Sequence, residues 1–224
     1  GMLTSLATNY NRRNKNVRLY ELGNVYLPKA LPLTELPDER MMFTLGMYGD
    51  GDFFDMKGVV EEFFDQIGMH KKTEYDPKAG KTFLHPGRQA LISYEGEVMG
   101  YLGEVHPAVA DTYGIGTRAY VAVLDILNVV KHASFDRKYE GIAKFPAVNR
   151  DISMVVPKEI MVGQIEHMIT QRGGKILEHF ELFDIYEGDQ IEKGFKSVAY
   201  SLTFRSKEKT LEEAEINGAM NKIL

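Results

Sequence analysis

The chain has 224 residues, 44% hydrophobic and 26% charged, which is enough for one large or two ordinary globular domains with a real core. It has no cysteine, and this excludes disulfides, thiolate zinc sites and a cysteine nucleophile. The formal net charge of −5 leaves no overall basic footprint, so any nucleic-acid contact must come from a local cluster or from a partner chain. The longest apolar runs fall short of a membrane span, and the start lacks a secretory pattern. A cytoplasmic location without membrane association is therefore expected. The opening Gly1-Met2 looks like a cloning remnant on a fragment.

Residues 3–16 read as a helix whose solvated end carries Arg12, Arg13 and Lys15, with an RNA or subunit contact as the sharper alternative. "VRLYELGNVYLP" alternates Val17 and Leu19 against Arg18 and Tyr20, and predicts two short antiparallel strands broken at Gly23. "KALPLTELPDER" is a proline-bearing loop and "MMFTLGMYG" a strand. Over residues 55–69, Val59, Val60, Phe63, Phe64 and Ile67 form one helical stripe, with Asp55 as N-cap and Gly68 as the stop. Strands follow around "KTFLHPG", along "QALISYEGEVMGYLGEV" turning at Glu95-Gly96, and at "YVAVLDI". The last is too continuously apolar for a surface strand and belongs inside the sheet or under a helix.

Residues 131–144 are polar and without apolar period, and a domain boundary is placed there. Beyond them a β-α-β-β-α order appears: a strand at 151–156, a helix at about 161–171 with Val162, Ile165, Met168 and Ile169 inward, and a stop at Gly173-Gly174. Strands at 176–186 and 195–205 follow, then a helix opened by a Thr210–Glu213 capping box. This is a ferredoxin-like split β-α-β repeat without its closing strand, because the sequence stops at Leu224 inside the helix.

Three places invite a catalytic reading. His85-Pro86 and His106-Pro107 lie at predicted strand ends without a third ligand at metal spacing, which suits turn roles. "LHPGR" at 84–88 has too few glycines to cradle a phosphate alone. "YGIGTR" at 113–118 precedes a strand, whereas phosphate loops follow a strand and open a helix. Glu61-Glu62 and Glu212-Glu213 are adjacent on helices and point apart. From its residues the chain reads as non-catalytic.

Taken together and in order, "NRRNKNVRLYELGNVY", "DFFDMKGVVEEFFDQIG", "LHPGRQALISYEGEVMGYLGEVHPAV", "KFPAVNRDISMVV" and "FELFDIYEGDQIEKGFKSVAYSLTFRSKEKTLEEAEI" resemble the C-terminal portion of the bacterial phenylalanine–tRNA ligase beta subunit family. The resemblance implies an α+β fold. Residues 1–135 would be a class II synthetase-like, non-catalytic antiparallel-sheet module, and residues 141–224 a ferredoxin-fold anticodon-binding domain. It further implies a catalytic alpha subunit as partner in an alpha2-beta2 assembly, tRNA as ligand, and ATP and magnesium used by the holoenzyme with none bound by this segment. "YLGEVHPAVADTYGIG" resembles the catalytic subunit's Gly-x-x-His-Pro segment. The strand "AYVAVLDIL" that follows has neither the glycine nor the ATP-binding arginine of the third class II motif, and "RLYELGNVY" lacks the Arg-x-Glu pairing of the second.

On that reading, alternation puts Ser197, Ala199, Ser201, Thr203 and Arg205 on one face of the last strand, and Asp151, Ser153 and Val155 on one face of the first. Arg150, at the rim, with Lys196, Arg205, Lys207 and Lys209 are the expected phosphate contacts, and Phe195 a stacking platform. Residues 141–224 hold 11 Lys and Arg against 13 Asp and Glu, so this part alone should bind RNA weakly. Two other readings remain open: a free-standing small-molecule sensor with a ferredoxin-like domain, and an enzyme whose site is formed by the His-Pro segments.

Overall fold

A computed structural model describes residues 1–69, 73–136, 139 and 141–224. In it the chain divides into two compact units, Gly1–Lys138 and Tyr139–Leu224. The polar stretch 131–144 includes residues 137, 138 and 140, which lie outside the described residues.

The first unit runs α1 (Met2–Asn11), β1 (Val17–Leu27), β2 (Asp38–Tyr48), α2 (Phe53–Gln66), β3 (Glu74–Asp76), β4 (Leu84–Tyr94), β5 (Glu97–Val105), α3 (Pro107–Thr112), β6 (Ala119–Asp125) and α4 (Ile126–His132). Its strands form one antiparallel sheet in the order β1-β2-β6-β5-β4-β3. The apolar β6 is central, as its composition requires, and both of its faces are covered. Tyr120, Ala122 and Leu124 pack with Met56, Val60 and Phe64 of α2 and Val129 of α4. Ala119 and Val121 pack with Leu6 and Ala7 of α1 and Ala110 of α3.

Several local expectations are corrected. β1 is one continuous strand, paired with β2 from Val17↔Tyr48 to Leu27↔Asp38, and Gly23 passes opposite Met42 without a bulge. A full ladder on one edge overrides the weak local preference of a single glycine. "LHPG" is the irregular start of β4, with a register shift between Leu84 and Gln89, and the short β3 has too little sequence to show a period. The N-cap of α2 is Asp52, which accepts from the N–H groups of Phe54 and Asp55, while Asp55 accepts from the Asp52 N–H at 2.7 Å. Asp55 is thus the reciprocal half of a capping box. The helix does stop at Gly68, whose φ of 80° is open to glycine and strained for other residues. Val59 lies outside the buried stripe, because α2 buries only Met56, Val60 and Phe64 completely.

The second unit runs β7 (Val148–Pro157), α5 (Val162–Gly173), a 3-10 turn at Gly174–Ile176, β8 (Leu177–Tyr186), β9 (Phe195–Phe204) and α6 (Glu213–Ile223). Its antiparallel sheet has the order β7-β9-β8. This is the ferredoxin-like arrangement, and among the described residues no strand follows α6. Both helices lie on one face, where Ile165, Ile169, Ile216 and Ala219 meet Ile152, Val198, Tyr200, Leu202 and Phe204. Met168 is 41% exposed and does not join that core. The N-cap of α6 is Glu212, with Glu215 returning to its N–H, so the cap lies two residues beyond Thr210.

Close backbone approach between β5 and β6 gives a test of the sheet. A Cβ at Gly100 would run into the Val123 carbonyl oxygen. Gly100→Ala is expected to cost about 2–3 kcal/mol, the scale of overpacking in a tight interior, read as a lowered denaturation midpoint of the first unit.

Candidate nucleic-acid interface

In the second unit the side chains of β7 and β9 alternate between the helix-covered face and an uncovered one. Pairing sets the uncovered face in rows across β7, β9 and β8: Asn149–Thr203–His179, Asp151–Ser201–Glu181, Ser153–Ala199–Asp184 and Val155–Ser197–Tyr186. The β7 and β8 members of these rows are exposed, whereas Ser197, Ser201 and Thr203 on the central strand are half-buried. The hydroxyls of Ser153 and Ser197 lie 3.2 Å apart, and either can donate to the other. The result is a shallow surface of small hydroxylated side chains flanked by carboxylates, with aromatic rings at one end.

Of the residues expected to face RNA, Ser153, Ser197 and Ser201 share this face. Phe195 stands on the same side at the start of β9, opposite Pro157, and is half-buried. Lys196 is only 9% exposed and points to the covered side, where its Nζ donates to the Lys158 carbonyl at 3.2 Å. Strand alternation takes it away from the open face.

Arg150 also lies on the covered side, with the even-numbered residues of β7. Its Nη2 donates to both Glu213 carboxylate oxygens at 2.8 and 2.9 Å, tying β7 to the first turn of α6. Arg205 sits one residue past β9, and its Nε donates to Glu178 at 3.0 Å. Lys209 lies 2.9 Å from Glu215, and this hydrogen bond raises the lysine's pKa. Glu215 is held below the usual carboxylate range, first by the Glu212 backbone N–H and then by Lys209. Lys207 is exposed in the loop after β9.

Of the expected cationic contacts, Lys196 and Arg150 thus lie on the covered side, and Arg150, Arg205 and Lys209 already hold carboxylates of the chain. Sequence reasoning passed over His179, Glu181, Asp184 and Tyr186. Register shifts between Leu177 and His179 and between Leu182 and Asp184 break the alternation of β8, so its faces cannot be read by counting in twos. Matching β8 against the serine row of β9 would have found them.

The first unit answers the catalytic readings. The Nδ1 of His106 accepts from the Ala108 N–H as the cap of α3, and the Nδ1 of His85 accepts from the Gly87 N–H, so both are turn-closing residues. β6 has no arginine, and its packing on both faces does not fit a nucleoside triphosphate laid against that strand. Among the described residues, no group of three His, Asp or Glu side chains stands close enough to hold a metal ion. Also among them, no helix is long and apolar enough to cross a membrane.

Comparison with known proteins follows the same division. The family model described as "Phenylalanyl tRNA synthetase beta chain CLM domain" matches residues 1–126, and the one described as "Ferredoxin-fold anticodon binding domain" matches residues 143–224. The phenylalanine–tRNA ligase beta subunit of Clostridium acetobutylicum is 43% identical over 223 residues, covering 100% of this chain and 28% of that protein. The beta subunit of Clostridium tetani is 40% identical, with the same shares covered. That of Bacillus cereus is 35% identical over 100% of this chain and 29% of its own length. The chain thus spans less than a third of the length of these relatives. With both units matched in order, the chain belongs to the phenylalanyl-tRNA synthetase beta chain family.

Proposed function

We propose that the chain is a non-catalytic part of a phenylalanine–tRNA ligase beta subunit that supports the catalytic alpha subunit and meets the anticodon region of the tRNA. The observation that carries the RNA reading is the uncovered face of β7-β9-β8. Unstacked bases present amino and imino donors on their Watson–Crick edges, and Asp151, Glu181, Asp184 and the serine hydroxyls supply the matching acceptors on a nearly flat ground. Tyr186 and Phe195 offer rings at one end of that ground for a base to stack on. The same carboxylates repel phosphate. Backbone contacts are therefore assigned to the border, to Arg205, Lys207 and Lys209, and to the partner subunit.

Support for a subunit contact comes from the first unit. Along one side of the β1–β2 hairpin, Tyr20 is 75% and Leu22 56% exposed, next to Tyr26 and Met41. A contiguous apolar strip on an edge strand suits a protein interface better than water. In this reading residues 1–135 are the class II-like module and residues 141–224 the anticodon-binding domain. The assembly is an alpha2-beta2 heterotetramer working in the cytoplasm, with ATP and magnesium held by the alpha subunit. A free-standing sensor is not favoured, because the first unit matches the same synthetase chain.

Two measurements test the two halves of the proposal. In the assembled ligase, Ser201→Tyr fills the centre of the open face and is expected to raise the KM for tRNA about tenfold or more, the scale of one lost base contact, with ATP–pyrophosphate exchange unchanged. Arg150→Ala, on the covered face, is expected to lower stability by about 0.5–1 kcal/mol, as for a partly exposed ion pair, with no change in that KM. An unaltered tRNA KM in Ser201→Tyr overturns the face assignment. Leu22→Glu is expected to reduce co-purification with the alpha subunit, and full recovery of the complex would remove the hairpin from the interface.

A further inference from the structure

The first unit contains a cleft of about 440 Å³ that the RNA reading does not use. It is built from two stretches that each look inadequate for phosphate, "LHPGR" and "YGIGTR", brought together around Glu104. The Glu104 side chain is 4% exposed and forms the floor. Arg88 Nη1 donates to both of its oxygens at 3.2 Å, and Arg118 Nε lies 4.0 Å from one of them.

A carboxylate at that depth requires an opposite charge. Here two arginines share one buried carboxylate, and Asp111 supplies the other negative charge of the lining. The Arg88 and Arg118 side chains are 42% and 66% exposed, so donors that Glu104 does not take are open to solvent. Each guanidinium has five N–H donors in a rigid fork, and Glu104 takes only a minority of them. His85 lines the same cleft. Because its Nδ1 accepts from the Gly87 N–H at 3.1 Å, the neutral ring carries its proton on Nε2 and is a donor there. The Thr117 hydroxyl adds a fourth group, and Asp111 at the rim is the one opposing carboxylate.

We propose that this cleft binds a phosphate ester, held by Arg88 and Arg118, with His85 Nε2–H and the Thr117 hydroxyl as further donors. Donors approaching from several directions suit a tetrahedral phosphate, and the volume admits the attached sugar. The phosphate source is either a small nucleotide or the backbone of an RNA strand. The site lies in the other unit from the proposed anticodon face, so its failure leaves that reading untouched.

The test is an amide-resolved NMR titration of the whole 224-residue chain with inorganic phosphate. Saturable shifts are expected at Arg88, Thr117 and Arg118. Arg118→Ala should weaken binding roughly tenfold, the loss of one charge-assisted contact, and Asp111→Asn should tighten it about threefold by removing a nearby like charge. Arg118 is the better probe because removing Arg88 strands the buried Glu104 and endangers the fold. Thermal unfolding of both variants should match the parent, so that a change in affinity is a change at the site. No saturation by phosphate on the order of tens of millimolar, or undiminished binding in Arg118→Ala, overturns the proposal. Competition by AMP and by a single-stranded oligoribonucleotide without terminal phosphates separates the sources. Whichever displaces phosphate at the lower concentration identifies the ligand, and displacement by neither overturns the assignment to a phosphate ester.

Discussion

Tyr200, Leu202 and Phe204 are wholly buried because α5 and α6 lie over them, and a strand with one face so occupied must turn its other residues outward. That burial positions Ser197, Ser201 and Thr203. Full burial of such a side chain contributes on the order of 1.5–3 kcal/mol, far more than any hydroxyl on the opposite face could contribute to folding. The core therefore decides the geometry, and the open face follows it. The Arg150–Glu213 pair and the Lys196–Lys158 contact belong to the same arrangement. They spend cationic side chains on holding helix and loop to the sheet.

The electrostatic character of the second unit is a consequence. Its formal charge is slightly negative, with 11 Lys and Arg against 13 Asp and Glu over residues 141–224, and several of its cations are already paired. Affinity for a polyanion rests largely on phosphate neutralisation and counterion release, which this unit is poorly placed to supply. Its carboxylates and hydroxyls are better suited to telling one base edge from another than to generating affinity. Such a division suits the proposed role, in which the RNA is also held by other parts of the assembly.

Much of this architecture was legible because the physical signal was strong. β9 alternates without a break, β6 is apolar throughout, Gly68 ends α2, and the β-α-β-β-α order is punctuated by glycines at 173–174. The failures have specific physical origins. Two register shifts hid the outward residues of β8. Two acidic caps, Asp52 and Glu212, took positions that nearby residues seemed to claim. Lys196 reads as a surface lysine until its position in the inward row of β9 is counted. The cleft around Glu104 joins segments some thirty residues apart through β4, β5 and the turn before β6, and no local pattern reports such a meeting.

The alternation of β9 also limits how this chain can vary in length. Inserting or deleting one residue within Phe195–Phe204 would exchange the serine row for the valine, tyrosine and leucine row. A hydrophobic strip would then face outward and hydroxyls would sit under the helices. The loop at residues 187–194 that joins β8 to β9 bears no such penalty, since loop closure depends only weakly on length. Among relatives, gaps should therefore gather in that loop and be absent from the strand, so the open face is guarded against drift by the core beneath it.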